Sequence, residues 1–198
     1  MSPVIGILAL QGGVAEHERS LGALGVKSRL VRRREHLTGI DALIFPGGES
    51  TTMSKLLVLG GLYEPVKQLL DGGLPAYGTC AGMILLASRV ENTRDDAVSF
   101  GAIDMTVKRN AFGRQVDSFE SDLTVTGIDG KVHAVFIRAP QVIECGADCE
   151  VLARVDQGPA AGAIVAVAHN NVLATSFHPE VTDDTRVHEL FINRFVGA

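Results

Sequence analysis

Pro75-Ala76-Tyr77-Gly78-Thr79-Cys80-Ala81-Gly82-Met83-Ile84-Leu85-Leu86-Ala87 is the stretch whose reading decides the fold. A short apolar strand, Pro75 to Tyr77, runs into a turn in which glycines stand two before and two after one cysteine, and an apolar helix-like run follows to about Ser88. Strand, sharp elbow and helix follow in immediate succession. Such an elbow forces its central residue into a cramped backbone conformation, and the flanking glycines remove side chains that would collide there. Cys80 is therefore expected at the carboxyl end of its strand, facing the first turn of the next helix, whose unpaired N–H groups favour a thiolate. A free thiol with a pKa near 8.5 is only about 3% ionised at pH 7, so a modest shift matters to a nucleophile. Read without the rest of the chain, Cys80 has a second, less favoured reading as a small buried apolar residue.

Upstream of the elbow, Val4 to Leu10 is a continuous apolar run with β-branched residues, which suits a mid-sheet strand covered on both faces. Gln11-Gly12-Gly13 makes a turn, and Val14, His17, Leu21 and Leu24 recur at helical spacing until Gly25. Val26 to Val31 and Ala42 to Phe45 read as two further strands. Strand, helix, strand order implies right-handed crossovers and a parallel sheet. Pro46-Gly47-Gly48-Glu49-Ser50-Thr51-Thr52 closes the third strand, with Met53, Leu56 and Leu57 beginning a helix behind it. Its glycines leave backbone N–H groups open at the sheet edge where α/β folds bind ligands, on the same edge as Cys80, which suits an oxyanion donor. It is not a phosphate loop, since that pattern needs a second glycine, a lysine and a hydroxyl together in fixed places that Gly47 to Lys55 does not supply.

Downstream, Ile103 to Val107, Leu123 to Val125, Val132 to Ile137, Val151 to Val155, Ile164 to Ala168 and Val172 to Phe177 are short strand-like runs between turn residues, so this half is expected to hold more antiparallel pairing. Thr182 is positioned to cap a last helix whose buried stripe is Val187, Leu190, Phe191 and Phe195. No repeat, low-complexity tract or linker divides the 198 residues, which are expected to form one domain, 1–198, burying roughly 70% of its unfolded surface.

Bulk properties narrow the partners. A formal charge of -5 gives no general attraction for nucleic acid or an anionic membrane, and the basic run Arg32-Arg33-Arg34 reads as a solvated loop. The apolar run Pro159 to Ala168 is too short to span a bilayer, and Met1 to Leu10 does not resemble an export signal, so a cytoplasmic location is expected. An odd cysteine count without an export signal suggests reduced thiols. Cys145 and Cys149 lack a nearby histidine or third cysteine to complete a zinc site, and no metal or cofactor is expected.

Ser176-Phe177-His178-Pro179-Glu180 supplies what the thiol needs. Pro179 biases His178 toward an extended conformation, and residues two apart in an extended segment point to the same side. Glu180 can therefore hold the His178 ring and favour the tautomer that presents its other nitrogen to a thiol. Nucleophile, base and orienting carboxylate make a triad. His17, His36, His133, His169 and His188 have no such local carboxylate and read as packed or surface residues.

The elbow Gly78 to Gly82 with Phe177-His178-Pro179-Glu180 resembles the class I glutamine amidotransferases, whose glutaminase domains use a Cys-His-Glu triad. Four further blocks narrow it: Leu10-Gln11-Gly12, Pro46 to Met53, Arg109-Asn110-Ala111-Phe112-Gly113-Arg114-Gln115-Val116-Asp117-Ser118-Phe119-Glu120, and Phe136-Ile137-Arg138-Ala139-Pro140 are similar to the glutaminase subunits of pyridoxal 5'-phosphate synthases. The resemblance implies a flavodoxin-like α/β fold, a three-layer, open, mostly parallel sheet flanked by helices with added antiparallel strands in the C-terminal half. It implies hydrolysis of L-glutamine to glutamate and ammonia, and delivery of the ammonia to a separate synthase subunit that builds vitamin B6 in its active form. Carried onto this chain, it makes Cys80 the nucleophile, His178 the base and acid, and Glu180 the orienting carboxylate. The N–H groups of Gly48 and Ala81 form the oxyanion hole, and Gly48, Glu49, Ser50, Arg109, Ile137 and Arg138 bind glutamine. Paired glycines suggest that the Gly47-Gly48 peptide is poorly aimed until the partner turns it. Tyr77 stands where a plain apolar residue is expected, and it reads as peripheral. Rival readings are a glutaminase serving another acceptor, a redox-sensing or chaperone-like protein with an oxidisable elbow cysteine, and a cysteine peptidase. His178-Pro179-Glu180 disfavours the redox reading, and the arginines suit the carboxylate of a free amino acid better than a peptide.

Overall fold

The computed structural model describes residues 2–111, 118–158 and 160–197. Its elements are β1 (Val4–Leu8), α1 (Val14–Ala23), β2 (Lys27–Val31), β3 (Ala42–Phe45), α2 (Ser50–Leu59), α3 (Tyr63–Asp71), β4 (Ala76–Thr79), α4 (Ala81–Leu86), β5 (Ala87–Glu91), β6 (Ile103–Lys108), β7 (Ser118–Thr124), β8 (Lys131–Ile137), β9 (Gln141–Cys145), β10 (Glu150–Arg154), β11 (Ile164–His169), β12 (Val172–Thr175) and α5 (Arg186–Phe191). Among the described residues the main sheet runs β2-β1-β3-β4-β12-β11-β9-β6-β5, with β10 added on β11. Strands β2, β1, β3, β4 and β12 pair in parallel, as the crossover reading requires. Antiparallel pairing enters at β12–β11 and continues through β11–β9 and β9–β6. Strands β7 and β8 form a separate antiparallel ribbon.

Strand alternation divides the core between the two faces of the sheet. Leu8, Leu43, Phe45 and Ala76 point into one apolar cluster with Met53, Leu57, Met83 and Leu86 of α2 and α4. Ile5, Ile7, Ala42, Ile44 and Tyr77 point into the other, with Leu21 of α1, Phe136 of the ribbon and Phe191 of α5. Layers on both faces of the sheet make the expected three-layer α/β arrangement.

Several elements differ from the sequence reading. Helix α3 and strands β5 and β9 were not foreseen: β5 and β9 mix polar and apolar residues, and pairing with β6 is what holds both extended. The first strand stops at Leu8 and lies between β2 and β3, one place in from the edge of the sheet. Thr182 does not cap the last helix. Its hydroxyl donates to the Pro179 carbonyl at 2.9 Å and accepts from the Asp184 N–H at 3.3 Å, closing the turn before it. Helix α5 starts only at Arg186, whose N–H is taken by Asp184 Oδ1 at 3.1 Å. Cys145 and Cys149, expected as reduced thiols, lie side by side across one turn. The turn after β9, closed by the Cys149 N–H to the Gly146 carbonyl, brings their Cα atoms to 5.6 Å, within disulfide reach. Cys80 is a free thiol.

Candidate active site

Cys80 sits between β4 and α4 with φ 49° and ψ −102°, the left-handed strain that a nucleophile elbow imposes. Its N–H donates to the Thr175 carbonyl of β12 at 2.8 Å, and its carbonyl accepts from Ile84 at 3.3 Å. The neighbouring glycines serve close packing. A Cβ on Gly82 would lie 2.0 Å from the Phe45 carbonyl oxygen, and one on Gly78 would lie 2.5 Å from the Gly82 carbonyl carbon. The elbow is thus pressed against β3, and only hydrogen fits at those points.

His178 follows β12, with its N–H donated to the Val135 carbonyl of β8 at 2.9 Å. Its Nδ1 lies 2.8 Å from Glu180 Oε1, so with Nδ1 protonated the other nitrogen is left for the thiol. Glu180 is the middle residue of the turn Pro179–Val181 and is 1% exposed. Burial pushes the His178 imidazole down, but hydrogen bonds to Cys80 and Glu180, and the charges of both, outweigh it and hold it well above its ordinary value. Burial likewise works against the Glu180 charge; the facing imidazoles of His17 and His178 and the hydrogen bond from His178 nonetheless keep its carboxyl below the usual range.

The glycine pair after β3 covers this group. A Cβ on Gly47 would lie 2.3 Å from His178 Cε1 and 3.4 Å from Cys80 Cβ. From behind, the 11–13 turn clamps the loop: Gly13 donates its N–H to the Gly47 carbonyl at 3.0 Å, and Glu49 donates its N–H to Gln11 Oε1 at 2.8 Å. Gly12, at φ +97°, is apposed so closely that a Cβ would fall 1.8 Å from the Gly47 oxygen. Glu49 caps α2 by accepting the N–H groups of Thr51 and Thr52 and receives Arg109 Nη2 at 3.0 Å. Despite some desolvation, hydrogen bonds from the hydroxyl and N–H groups of Thr51 and Thr52 hold its carboxyl at about 2.

A cavity of about 490 Å³ opens over the thiol. Cys80, His178, Glu180, Gly48, Glu49, Ser50, Arg109, Ile137 and Arg138, all named from sequence, line it together. Ile137 ends β8 with its carbonyl 3.9 Å from Cys80 Sγ, and Arg138 follows at φ 44°. Ala81 does not line the cavity; it is buried as the first residue of α4, directly after the thiol. Of the block from Arg109 to Glu120, residues 112–117 lie outside the described residues.

Sequence reasoning missed the layer behind the triad. His17 and His188, read as ordinary packing, are fully buried and bonded to each other at 2.9 Å, and His17 Nε2 is 3.6 Å from Glu180 Oε1. Tyr77, read as peripheral, meets both imidazoles edge-on and hydrogen-bonds Thr175 at 3.2 Å. One signal was present: His17 occupies a core position in the helical stripe of α1, where a polar residue needs a partner.

A buried Cys-His-Glu constellation on a strand-to-helix elbow, at the carboxyl edge of a three-layer α/β sheet, defines the class of cysteine-dependent amidotransferases. The chain belongs to the SNO glutamine amidotransferase family, whose model matches residues 7–197. It is 61% identical over 199 aligned residues to the pyridoxal 5'-phosphate synthase subunit PdxT of Rhodococcus opacus (strain B4), covering 99% of this chain and 98% of that protein. It is 59% identical to the PdxT subunit of Mycobacteroides abscessus, over 98% of this chain and 97% of that one. A crystal structure described as a glutamine amidotransferase superposes with a TM-score of 0.90 at 45% identity, covering 98% of this chain and 99% of the other. PurLQS from Thermotoga maritima, 16% identical with a TM-score of 0.71 over 98% of this chain and 99% of its own, shares the fold.

Proposed function

We propose that this chain, as one domain, hydrolyses L-glutamine to L-glutamate and ammonia and passes the ammonia to the synthase subunit of a pyridoxal 5'-phosphate synthase. The supporting observation is the convergence of the Cys80–His178–Glu180 constellation and the Glu49, Arg109 and Arg138 side chains on one cavity, in a chain about 60% identical to PdxT subunits. No helix among the described residues is long and apolar enough to cross a membrane.

In this reading the Cys80 thiolate attacks the side-chain carbonyl carbon of glutamine, and the carbonyl oxygen takes the negative charge. The N–H groups of Gly48 and Ala81 receive that oxyanion, each donor contributing about 3 to 4 kcal/mol where such groups have been removed from comparable sites. His178, protonated and oriented by Glu180, gives its proton to the departing nitrogen, and ammonia leaves. His178 then takes a proton from water, the hydroxide attacks the γ-glutamyl thioester, and glutamate departs with the thiolate restored. Glu49 offers a negative charge to the α-ammonium of the substrate, and Arg109 and Arg138 offer positive charge to its carboxylate. The carbonyl of Gly47 and the N–H of Gly48 belong to one peptide plane, so the Gly13 bond fixes where the Gly48 N–H points. A synthase partner that shifts the 11–13 turn would re-aim it and couple ammonia release to use.

Glutamate release from L-glutamine, measured for the chain alone, with a pyridoxal 5'-phosphate synthase barrel subunit added, and for a Cys80→Ala control, tests this. Activity that rises on mixing and vanishes in the control is expected. Activity indifferent to the partner would leave the triad but remove the vitamin B6 assignment, and no hydrolysis under any pairing would sink the reading.

A further inference from the structure

We propose that His17 is a positioning residue of the triad: backed by His188 and joined through the Thr79 hydroxyl, it forms a buried, one-directional relay of hydrogen bonds ending on Oε1 of Glu180, which fixes the carboxylate that orients His178. This rests on the glutaminase reading above. Four elements contribute: α1 brings His17, β4 brings Thr79, α5 brings His188, and the turn after β12 brings Glu180. His17, Thr79 and His188 are each fully buried, so every polar atom there needs a partner or costs free energy.

The partners decide the tautomers. His17 Nδ1 lies 2.9 Å from His188 Nε2, and His17 Nε2 lies 3.2 Å from Thr79 Oγ1 and 3.6 Å from Glu180 Oε1. Thr79 Oγ1 is in turn 3.3 Å from Glu180 Oε1. If His17 carried its proton on Nδ1, its bare Nε2 would face a carboxylate oxygen, and His188 would carry a buried N–H on Nδ1, which has no partner among the described residues. The alternative satisfies each donor. His188 Nε2–H donates to His17 Nδ1, His17 Nε2–H donates to Thr79, and the Thr79 hydroxyl donates to Glu180. Burial, strongest for both imidazoles, keeps the pair neutral and so preserves this direction.

Glu180 Oε1 thus receives Thr79 from behind and His178 Nδ1 from the front, at 2.8 Å. Its other oxygen, Oε2, is buried without a hydrogen-bond partner among the described residues. The carboxylate is therefore located through Oε1 alone. Without the relay it can rotate about its terminal bond and trade oxygens, and the His178 ring loses its fixed aim.

The test uses the chain with its synthase partner and compares wild type with His17→Leu, His17→Gln, Thr79→Val and Thr79→Ser. Glutamine hydrolysis gives kcat, KM and the pH profile; alkylation of Cys80 by iodoacetamide against pH reads the thiol–imidazole pair without glutamine. The titratable and charged groups around that pair are Glu180 and, lining the cavity, Glu16, Glu49, Arg109 and Arg138, with His17, His188 and Tyr77 behind Glu180; of these only His17 is altered. His17→Leu and Thr79→Val should lower kcat about 10- to 100-fold, the weight of one hydrogen bond to a charged group, with KM within about twofold, and should shift the alkylation profile. His17→Gln, whose amide N–H reaches the place of Nε2, and Thr79→Ser, which keeps the hydroxyl, should recover most of the loss. A folded His17→Leu protein with wild-type kcat and alkylation profile would overturn the proposal. If that variant does not fold, equal kcat in Thr79→Val and Thr79→Ser overturns it instead. Should wild type hydrolyse no glutamine, the functional reading falls, and the alkylation profile still decides the relay: a shift in the two apolar variants supports it, and no shift overturns it.

Discussion

Among single residues, Arg109 bears most directly on the proposed glutamine site. Its guanidinium is held by Glu49 at 3.0 Å across the mouth of the cavity, so the pair offers both charges that a free amino acid needs. Arg109→Gln should raise KM for glutamine about tenfold and change kcat less, because it removes binding made equally to substrate and transition state; steady-state kinetics would show it, and a lower kcat at unchanged KM would contradict it. The buried imidazoles make a separate prediction about acid. Burial holds His188 at about 3 in the fold, against an ordinary 6.5 in the unfolded chain. Its contribution is complete above about pH 6.5 and is lost as pH falls from there toward 3, because the unfolded chain takes up the proton first. At about 1.4 kcal/mol for each tenfold change in proton affinity, the loss is on the order of several kcal/mol. Burial lowers His17; against its own burial, Glu180 is lowered by the facing imidazoles of His17 and His178 and the hydrogen bond from His178, and both add in the same direction. Urea unfolding at pH 7 and pH 4.5 should show the drop, reduced in His188→Gln; a flat profile would refute it. At this scale Cys80, His178 and Glu180 were legible because each carries a local mark: flanking glycines, a following proline, a carboxylate two residues on. His17 and His188 carry no such mark, since their partners lie on other elements.

The elbow works as an element only because α4 and β3 nearly touch. In Gly82→Ala the new methyl would have to displace the Phe45 backbone carbonyl, which belongs to the sheet and cannot yield cheaply. A loss of about 1 to 3 kcal/mol or more is expected, read as a lower urea midpoint with glutamine turnover falling alongside it. Gly12→Ala attacks the other contact. The residue is far from the thiol in sequence, yet it sits under the Gly47 carbonyl at positive φ, so the substitution should spoil the aim of the Gly48 N–H and cost kcat more than stability. A Gly12→Ala protein with full kcat would exclude the 11–13 turn from control of the loop. The strands β1, β3 and β4 were readable from unbroken apolar runs, whereas β5 and β9 were not, because their extended shape is fixed by pairing rather than by their own pattern.

For the molecule as a whole, the sheet gathers pieces from opposite ends of the chain at one edge. Parallel pairing of β4 with β12 sets Thr79 beside Thr175, which brings the elbow and the His178 segment to the same level. The ribbon β7–β8 then closes the far side, with Val135 holding the His178 backbone and Ile137 facing the thiol. Since β8 and the 11–13 turn both border the cavity, a partner docked on that edge would touch both segments that hold the proposed catalytic groups. Adding the synthase subunit is therefore expected to raise kcat more than it lowers KM, a split that kinetics with and without the partner would check; a change confined to KM would argue against gating.

The sequence by itself determined the α/β class, the position of the thiol on an elbow, and the histidine and carboxylate that answer it, because period, turn chemistry and short-range spacing are local properties of a chain. Only the tertiary structure decided that Gln11 and Gly13 clamp the Gly47-Gly48 loop, that Cys145 and Cys149 come side by side, and that two histidines from α1 and α5 stand behind Glu180. Those contacts join residues by packing across the sheet, and packing partners are chosen by the geometry of the assembled layers rather than by any pattern within one segment.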